Sequence, residues 1–131
     1  MNILIFDDDL KVKSMVPLME ENLRSKVNYF NEPVKAIKGI LSGGYEIVIL
    51  EVLTSSITGL EICELLAFDE RLSNIAVILV SDLPLYSEKF QKSLVERKEL
   101  KMVKGVLQKP FLPSDLIAKV MNIKNLPNYV K

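Results

Sequence analysis

The 131 residues contain no histidine. Serine–histidine nucleophilic chemistry, zinc–histidine sites and imidazole proton transfer are therefore excluded from this chain. A single cysteine, Cys63, rules out an internal disulfide and fits a reducing cytoplasm. An excess of one charge is missing too: Lys plus Arg number 17, as do Asp plus Glu. No net field draws this surface toward nucleic acid or an anionic membrane. The sequence carries no N-terminal signal pattern and no apolar run of about 18 residues that would span a bilayer. Internal repeats and low-complexity tracts are also lacking. What the chain does have is apolar side chain, 49% of it, and at this length that fills the core of one domain.

The segment around which the rest is organised is Asn2 to Asp9, NILIFDDD. A short unbroken apolar run reads as a strand buried on both faces, as in a parallel sheet covered by helices. Asp7, Asp8 and Asp9 then stand at its carboxyl end, where open α/β sheets bind ligands. Grouped carboxylates raise one another's pKa unless a cation or a donor offsets their charge. The cluster calls for a partner, either a hard divalent ion or a lysine. Asp9 also serves as the cap of the following helix.

Alternating patterns continue along the chain. Leu10 to Arg24 reads as an amphipathic helix on Leu10, Val16, Leu18, Met19 and Leu23, with a kink or a looser first half at Pro17. Lys26 to Phe30 is a second strand. Asn31 and Pro33 start a helix that ends at Gly43-Gly44 and buries Val34, Ile37 and Leu41. Tyr45 to Leu53 is the third strand and delivers Glu51 to its end. Thr58 and Glu61 form a capping box before a helix whose inner face is Leu60, Cys63, Leu66 and Ala67. Ile75 to Val80 is a fourth buried strand, closed by Ser81. A charge-rich helix from Leu85 to about Leu100 turns Phe90 and Leu94 inward. Val103 to Gln108 makes the fifth strand and brings Lys109 to the same rim before Pro110. A last helix opens at Pro113-Ser114-Asp115 and buries Leu116, Ile117, Val120 and Met121. Residues 125–131 have no periodicity and read as a tail or the start of a linker after a domain of residues 1–124.

Five strands alternating with five helices imply a doubly wound parallel sheet, because each parallel return needs a right-handed crossover. All strand ends then share one edge, which gathers Asp7, Asp8, Glu51, Ser81 and Lys109 into one shallow pocket. Its bland reading is a structural ion-pair cluster. Its functional reading adds a magnesium ion that keeps several waters.

In this order these residues resemble the receiver domain of bacterial two-component response regulators, over Asn2 to about Ile123. The resemblance rests on Asp7-Asp8 after the first strand, an acid ending the third, Ser81 closing the fourth and Lys109-Pro110-Phe111 after the fifth. It implies a flavodoxin-like five-stranded (βα)5 fold with strand order 2-1-3-4-5. It also implies magnesium on the first-strand acids, a phosphoacceptor at position 51, phosphoryl contacts from Ser81 and Lys109, and a cis Lys109–Pro110 peptide.

The chain departs from that pattern at the decisive place, since the acceptor position holds Glu51 instead of aspartate. The extra methylene carries the carboxylate about 1.5 Å further, and near-attack geometry does not tolerate displacement on that scale. Glu51 is then either a built-in mimic of the phosphorylated form or a relic of lost switching. Val106 stands where the family carries a mobile Tyr or Phe. The loop Leu53 to Gly59 lacks the family's proline, and the segment from Ser81 to Lys109 is longer than the family needs.

The expected function is a cytoplasmic, receiver-like interaction domain, not an enzyme. Magnesium would be held weakly or not at all by Asp8, Glu51 and Asp7. The expected partner is a histidine kinase or an output protein or domain, with neither nucleic acid nor membrane bound by this segment. A homodimer would use the face of the fourth helix, fifth strand and last helix. The alternatives are a conventional magnesium-dependent phosphoacceptor and a haloacid-dehalogenase-type phosphatase using Asp7 and Asp9, against which Lys11 and the absence of a later acid pair weigh.

Overall fold

The apolar run after Met1 forms β1 (Asn2–Phe6), and four further runs form β2 (Lys26–Phe30), β3 (Ile47–Glu51), β4 (Ala76–Ser81) and β5 (Val103–Gln108). The computed structural model of the chain describes residues 1–53 and 57–125. Every strand pairing is parallel and the order is β2-β1-β3-β4-β5, the flavodoxin-like arrangement expected. All of β3 and β4 is buried. Helices cover both faces there, so no position faces water and polar alternation disappears.

Six α-helices stand among the described residues where five were expected: α1 (Leu10–Ser14), α2 (Val16–Leu23), α3 (Pro33–Leu41), α4 (Gly59–Ala67), α5 (Glu88–Glu96) and α6 (Pro113–Lys124). The extra one comes from Pro17. It has no N–H to give to the carbonyl of Lys13, so the first helix ends at Ser14 and restarts at Val16 with the proline in its first turn.

Alternate strand residues feed two cores. Leu4, Phe6, Val48, Leu50, Val77 and Leu79 pack toward Ala36 and Ile40 of α3 and Ile62, Cys63 and Leu66 of α4. Ile3, Ile5, Ile47, Ile49, Ile78 and Val80 pack toward Val12, Met19, Leu116, Val120 and Ile123 on α1, α2 and α6. Cys63 is an inert core residue whose thiol is pushed up to about 12 by burial.

Several expected stripes are rotated by a step. In α3 the buried pair is Ala36 and Ile40, while Val34 and Leu41 are exposed. Ile62 takes the place of Ala67 in α4, and Ile123 that of Met121 in α6. Leu10 and Leu18 lie outside, with Val12 and Met15 buried instead. The expected 85–100 helix is shorter. A turn holds Leu85 to Ser87, α5 follows, and a 3-10 turn covers Lys98–Leu100. Phe90 and Leu94 are only partly buried against the core. The proline-free loop at 54–56 and the tail beyond Asn125 lie outside the described residues. No helix among the described residues is long and apolar enough to cross a membrane.

Candidate functional site at the carboxyl edge of the sheet

Side chains two apart on a strand share a face. Asp7 continues the row of Ile3 and Ile5, Glu51 that of Ile47 and Ile49, and Lys109 follows Leu107, all on the face of α1, α2 and α6. Pairing places Ile5 beside Ile49 and Phe6 beside Leu50, so the next step along both strands brings Asp7 and Glu51 abreast. Lys109 starts two strands away and its long side chain spans β4 to reach them. Backbone pins hold each end. The Lys109 amide donates to the Ser81 carbonyl at 2.8 Å, and the Asp7 amide to the Phe30 carbonyl at 3.1 Å. The Lys109–Pro110 peptide is cis, as expected.

The ammonium of Lys109 lies 2.9 Å from Glu51 Oε1, 3.1 Å from Asp7 Oδ1, 3.0 Å from Asp7 Oδ2 and 3.4 Å from Asp9 Oδ2. The far carboxylate atoms are engaged as well: the Leu53 amide donates to Glu51 Oε2 and the Asp9 amide to Asp7 Oδ1, both at 2.9 Å. Asp7 Oδ2 accepts no aligned hydrogen bond, yet at 3.0 Å from the ammonium its charge attraction does not depend on angle. Asp7 is fully buried and Glu51 nearly so.

Burial pushes Asp7 above the ordinary carboxylate range, against the pull of Lys109 and the Asp9 amide. Burial also opposes the charge on Lys109, but its hydrogen bonds to Glu51 and Asp7 outweigh that and hold the ammonium protonated well above the usual lysine value. Asp9 is lowered: its slight burial is outweighed by the Lys11 amide and by Lys109.

Two expected members of the pocket, Asp8 and Ser81, stand outside the ion-pair cluster of Lys109. Asp8 is exposed and takes no part in the Lys109 cluster. As the neighbour of an inward residue it points the other way, and Asp9 takes its place. Asp9 both caps α1, accepting from the Lys11 amide at 2.9 Å, and reaches the ammonium. Its role was signalled by the run of three acids but masked by its value as a cap. Ser81 is buried, but its hydroxyl accepts from the Leu83 amide at 3.3 Å inside the following turn. Val106 is buried in the core facing α5. An unanticipated aromatic, Tyr86, lies nearby, with its hydroxyl accepting from the Gln108 amide at 3.4 Å. Tyr86 escaped sequence reading because it belongs to a turn without periodicity.

Glu51 is fixed from below by Gly59. A Cβ at residue 59 would lie 2.5 Å from the Glu51 carbonyl oxygen, so only glycine lets α4 start against the end of β3. The Thr58–Glu61 capping box forms there as expected.

A magnesium ion would require near-octahedral oxygen ligands. Among the described residues, no group of three acids is placed to hold a metal ion. The ammonium holds the position where the buried carboxylates converge. A divalent ion about 4 Å from it would be repelled by roughly 8 kcal/mol at an effective dielectric constant of 20. As arranged, these residues fit an ammonium and do not fit the metal.

No family model matches the sequence, and no curated protein does. Solved structures do match. The chemotaxis protein CheY4 of Vibrio cholerae aligns with a TM-score of 0.76 at 16% identity, over 92% of this chain and 96% of that one. The receiver domain of the Francisella response regulator 1452 aligns at 0.73 and 20% identity, over 92% and 93%. The receiver domain of the sensor histidine kinase PA1611 from Pseudomonas aeruginosa, solved with a magnesium ion in its active-site cleft, aligns at 0.72 and 14% identity, over 92% and 94%. The fold is that of two-component receiver domains.

Proposed function

We propose that the chain is a receiver-like signalling domain of a two-component system, acting in the cytoplasm through protein–protein contact and not phosphorylated in the ordinary way. Glu51 carries this reading. One of its oxygens rests on the Lys109 ammonium and the other on the Leu53 amide, and the side chain is buried. A nucleophile so held lacks the near-attack geometry that transfer needs. Magnesium at this edge is correspondingly weak or absent.

The partner is a histidine kinase or an output protein, or a second copy of the chain, docking on the face of α5, β5 and α6. A groove of about 520 Å³ runs along that face, over Val103 and Val106 and between Leu94, Leu100 and Tyr86. Neither nucleic acid nor membrane is a partner of this segment, whose charges balance. No catalytic activity is proposed: Asp7, the nucleophile that a phosphatase would need, has no exposed surface.

The deciding experiment is incubation with acetyl phosphate and magnesium followed by intact-mass measurement. Wild type gains no phosphoryl group, and a gain by Glu51→Asp alone places the barrier in the extra methylene. A stable phosphoryl adduct on wild type would overturn the reading in favour of a conventional phosphoacceptor.

A further inference from the structure

We propose that the free edge of β5 is a strand-addition site, at which an extended, acidic segment of a partner protein pairs as a further strand of the sheet. This deepens the reading of the α5–β5–α6 face as a docking surface and rests on it. β5 ends the sheet on one side, with β4 as its strand neighbour, so its outer row of amides and carbonyls meets no other strand. Hollows flank this edge on both sides. The groove of about 520 Å³ lies toward α5, and a smaller one of about 160 Å³ lies over Gly105, against Asn122 and Ile123 of α6; Lys104, Gly105 and Lys119 line both. Successive side chains of a strand point to opposite faces. An added strand would therefore seat one set of side chains in each hollow, while its backbone pairs with β5. Gly105 keeps the smaller hollow open. A Cβ there would meet only Lys119 Cδ at 3.8 Å and Ile123 Cδ1 at 4.0 Å, which are ordinary contacts, so the fold itself does not demand glycine. Glycine inside a strand marks a place where another backbone approaches closely.

Charge sets the chemistry of the segment. Lys101, Lys104 and Lys119 line the larger groove and no acid does, although the chain as a whole is neutral. None of the three is ion-paired among the described residues. The pairing with β4 also steps over Lys104, since Val77 meets Val103 and Ile78 meets Gly105. A bulge and a lysine are what protect a sheet edge from indiscriminate pairing. Carboxylates on the incoming strand turn that protection into attraction, so the edge selects acidic strands over others. The β5 edge of a second copy carries the same lysines and supplies no counter-charge.

The test selects short random-sequence peptides displayed on phage against the full chain, then synthesises the enriched ones and measures their binding by fluorescence anisotropy. They are expected to alternate apolar residues with Asp or Glu and to bind more weakly as salt rises. N-methylation of one peptide amide at a time is expected to abolish binding at every second residue, because only alternate amides of an added strand face β5. A helical ligand gives no such period. Lys104→Glu should weaken binding about tenfold, since one attraction becomes a repulsion. Gly105→Val, which suits a strand and fills the smaller hollow, should weaken binding without lowering Tm. Enriched peptides that lack acids, a scan without the period of two, or undiminished binding to Lys104→Glu would overturn the proposal, as would a selection that enriches nothing. Binding that fades as the protein concentration rises would give the edge to a second copy and overturn it too. None of these results bears on the phosphorylation test, which reads covalent mass.

Discussion

Gly59→Ala is the substitution that tests how the acid at the end of β3 is held. The added Cβ would lie 2.5 Å from the Glu51 carbonyl oxygen, 3.0 Å from its carbonyl carbon and 3.3 Å from Leu50 Cβ. Two of these are backbone atoms, and Glu51 and Leu50 belong to a fully buried strand paired on both sides. No flexible side chain can swing away, so the start of α4 must shift. Inserting a methyl group into a packed site costs about 1–3 kcal/mol, and a backbone obstacle puts this case at the upper end. Alanine returns some of that through its helix preference, up to about 1 kcal/mol. The net loss is about 2 kcal/mol. A chain of 131 residues unfolds with an entropy of about 0.28 kcal/mol/K, so the midpoint of thermal unfolding should fall by roughly 7 °C. Calorimetry or circular dichroism reads this directly. A midpoint within about 2 °C of wild type would refute the claim that contact with Gly59 fixes Glu51, since that error is larger than the approximations in the two costs.

Two further outcomes are expected. Burial raises the Asp7 carboxyl above its ordinary 3.8; its contribution to stability is therefore complete below that value and lost as pH rises through the higher folded-state value. Asp7→Asn keeps an acceptor for the Asp9 amide and cannot ionise. Its stability relative to wild type should accordingly increase in urea titrations as pH rises above 3.8, and a decrease would reverse the assignment. At the α5–β5–α6 face, Val95 is 86% exposed beside the groove. Sedimentation should show wild type self-associating at high concentration and Val95→Glu remaining monomeric, with stability changed by less than about 0.5 kcal/mol. A wild type that stays monomeric would argue against that face.

The central strands β3 and β4 were legible because they are buried on both sides. Runs such as Ile47–Leu50 and Ala76–Val80 carry no polar residue to obscure them, and their bounds came within a residue or two. Helix faces were harder to read because a helix turns by about 100° per residue, and a small residue can outrank a large one. Ala36 sits against the sheet where Val34 was expected, because a short side chain lets α3 approach closely. The charge-rich stretch after β4 was read as one helix. Arg97 breaks it, leaving the helical conformation and pairing with Glu64 of α4 and with Glu99. The sequence has no means of indicating that long-range pair.

The pocket was legible down to its topology but not to its parity. Strand ends predict which residues reach the edge, and Asp7, Glu51 and Lys109 all do. Which of three consecutive acids turns inward depends on where the strand stops being a strand. Asp7 keeps the inward phase of Ile5, so Asp8 must face away. The Asp9 amide then folds back onto Asp7 Oδ1, and the chain turns into α1 with the Asp9 carboxylate beside Lys109. The same turn caps the helix and completes the ring of carboxylates around the Lys109 ammonium, so the cap and the site are one structure. Changing Asp9 would open both, whereas changing Asp8 would leave the ammonium's three contacts intact.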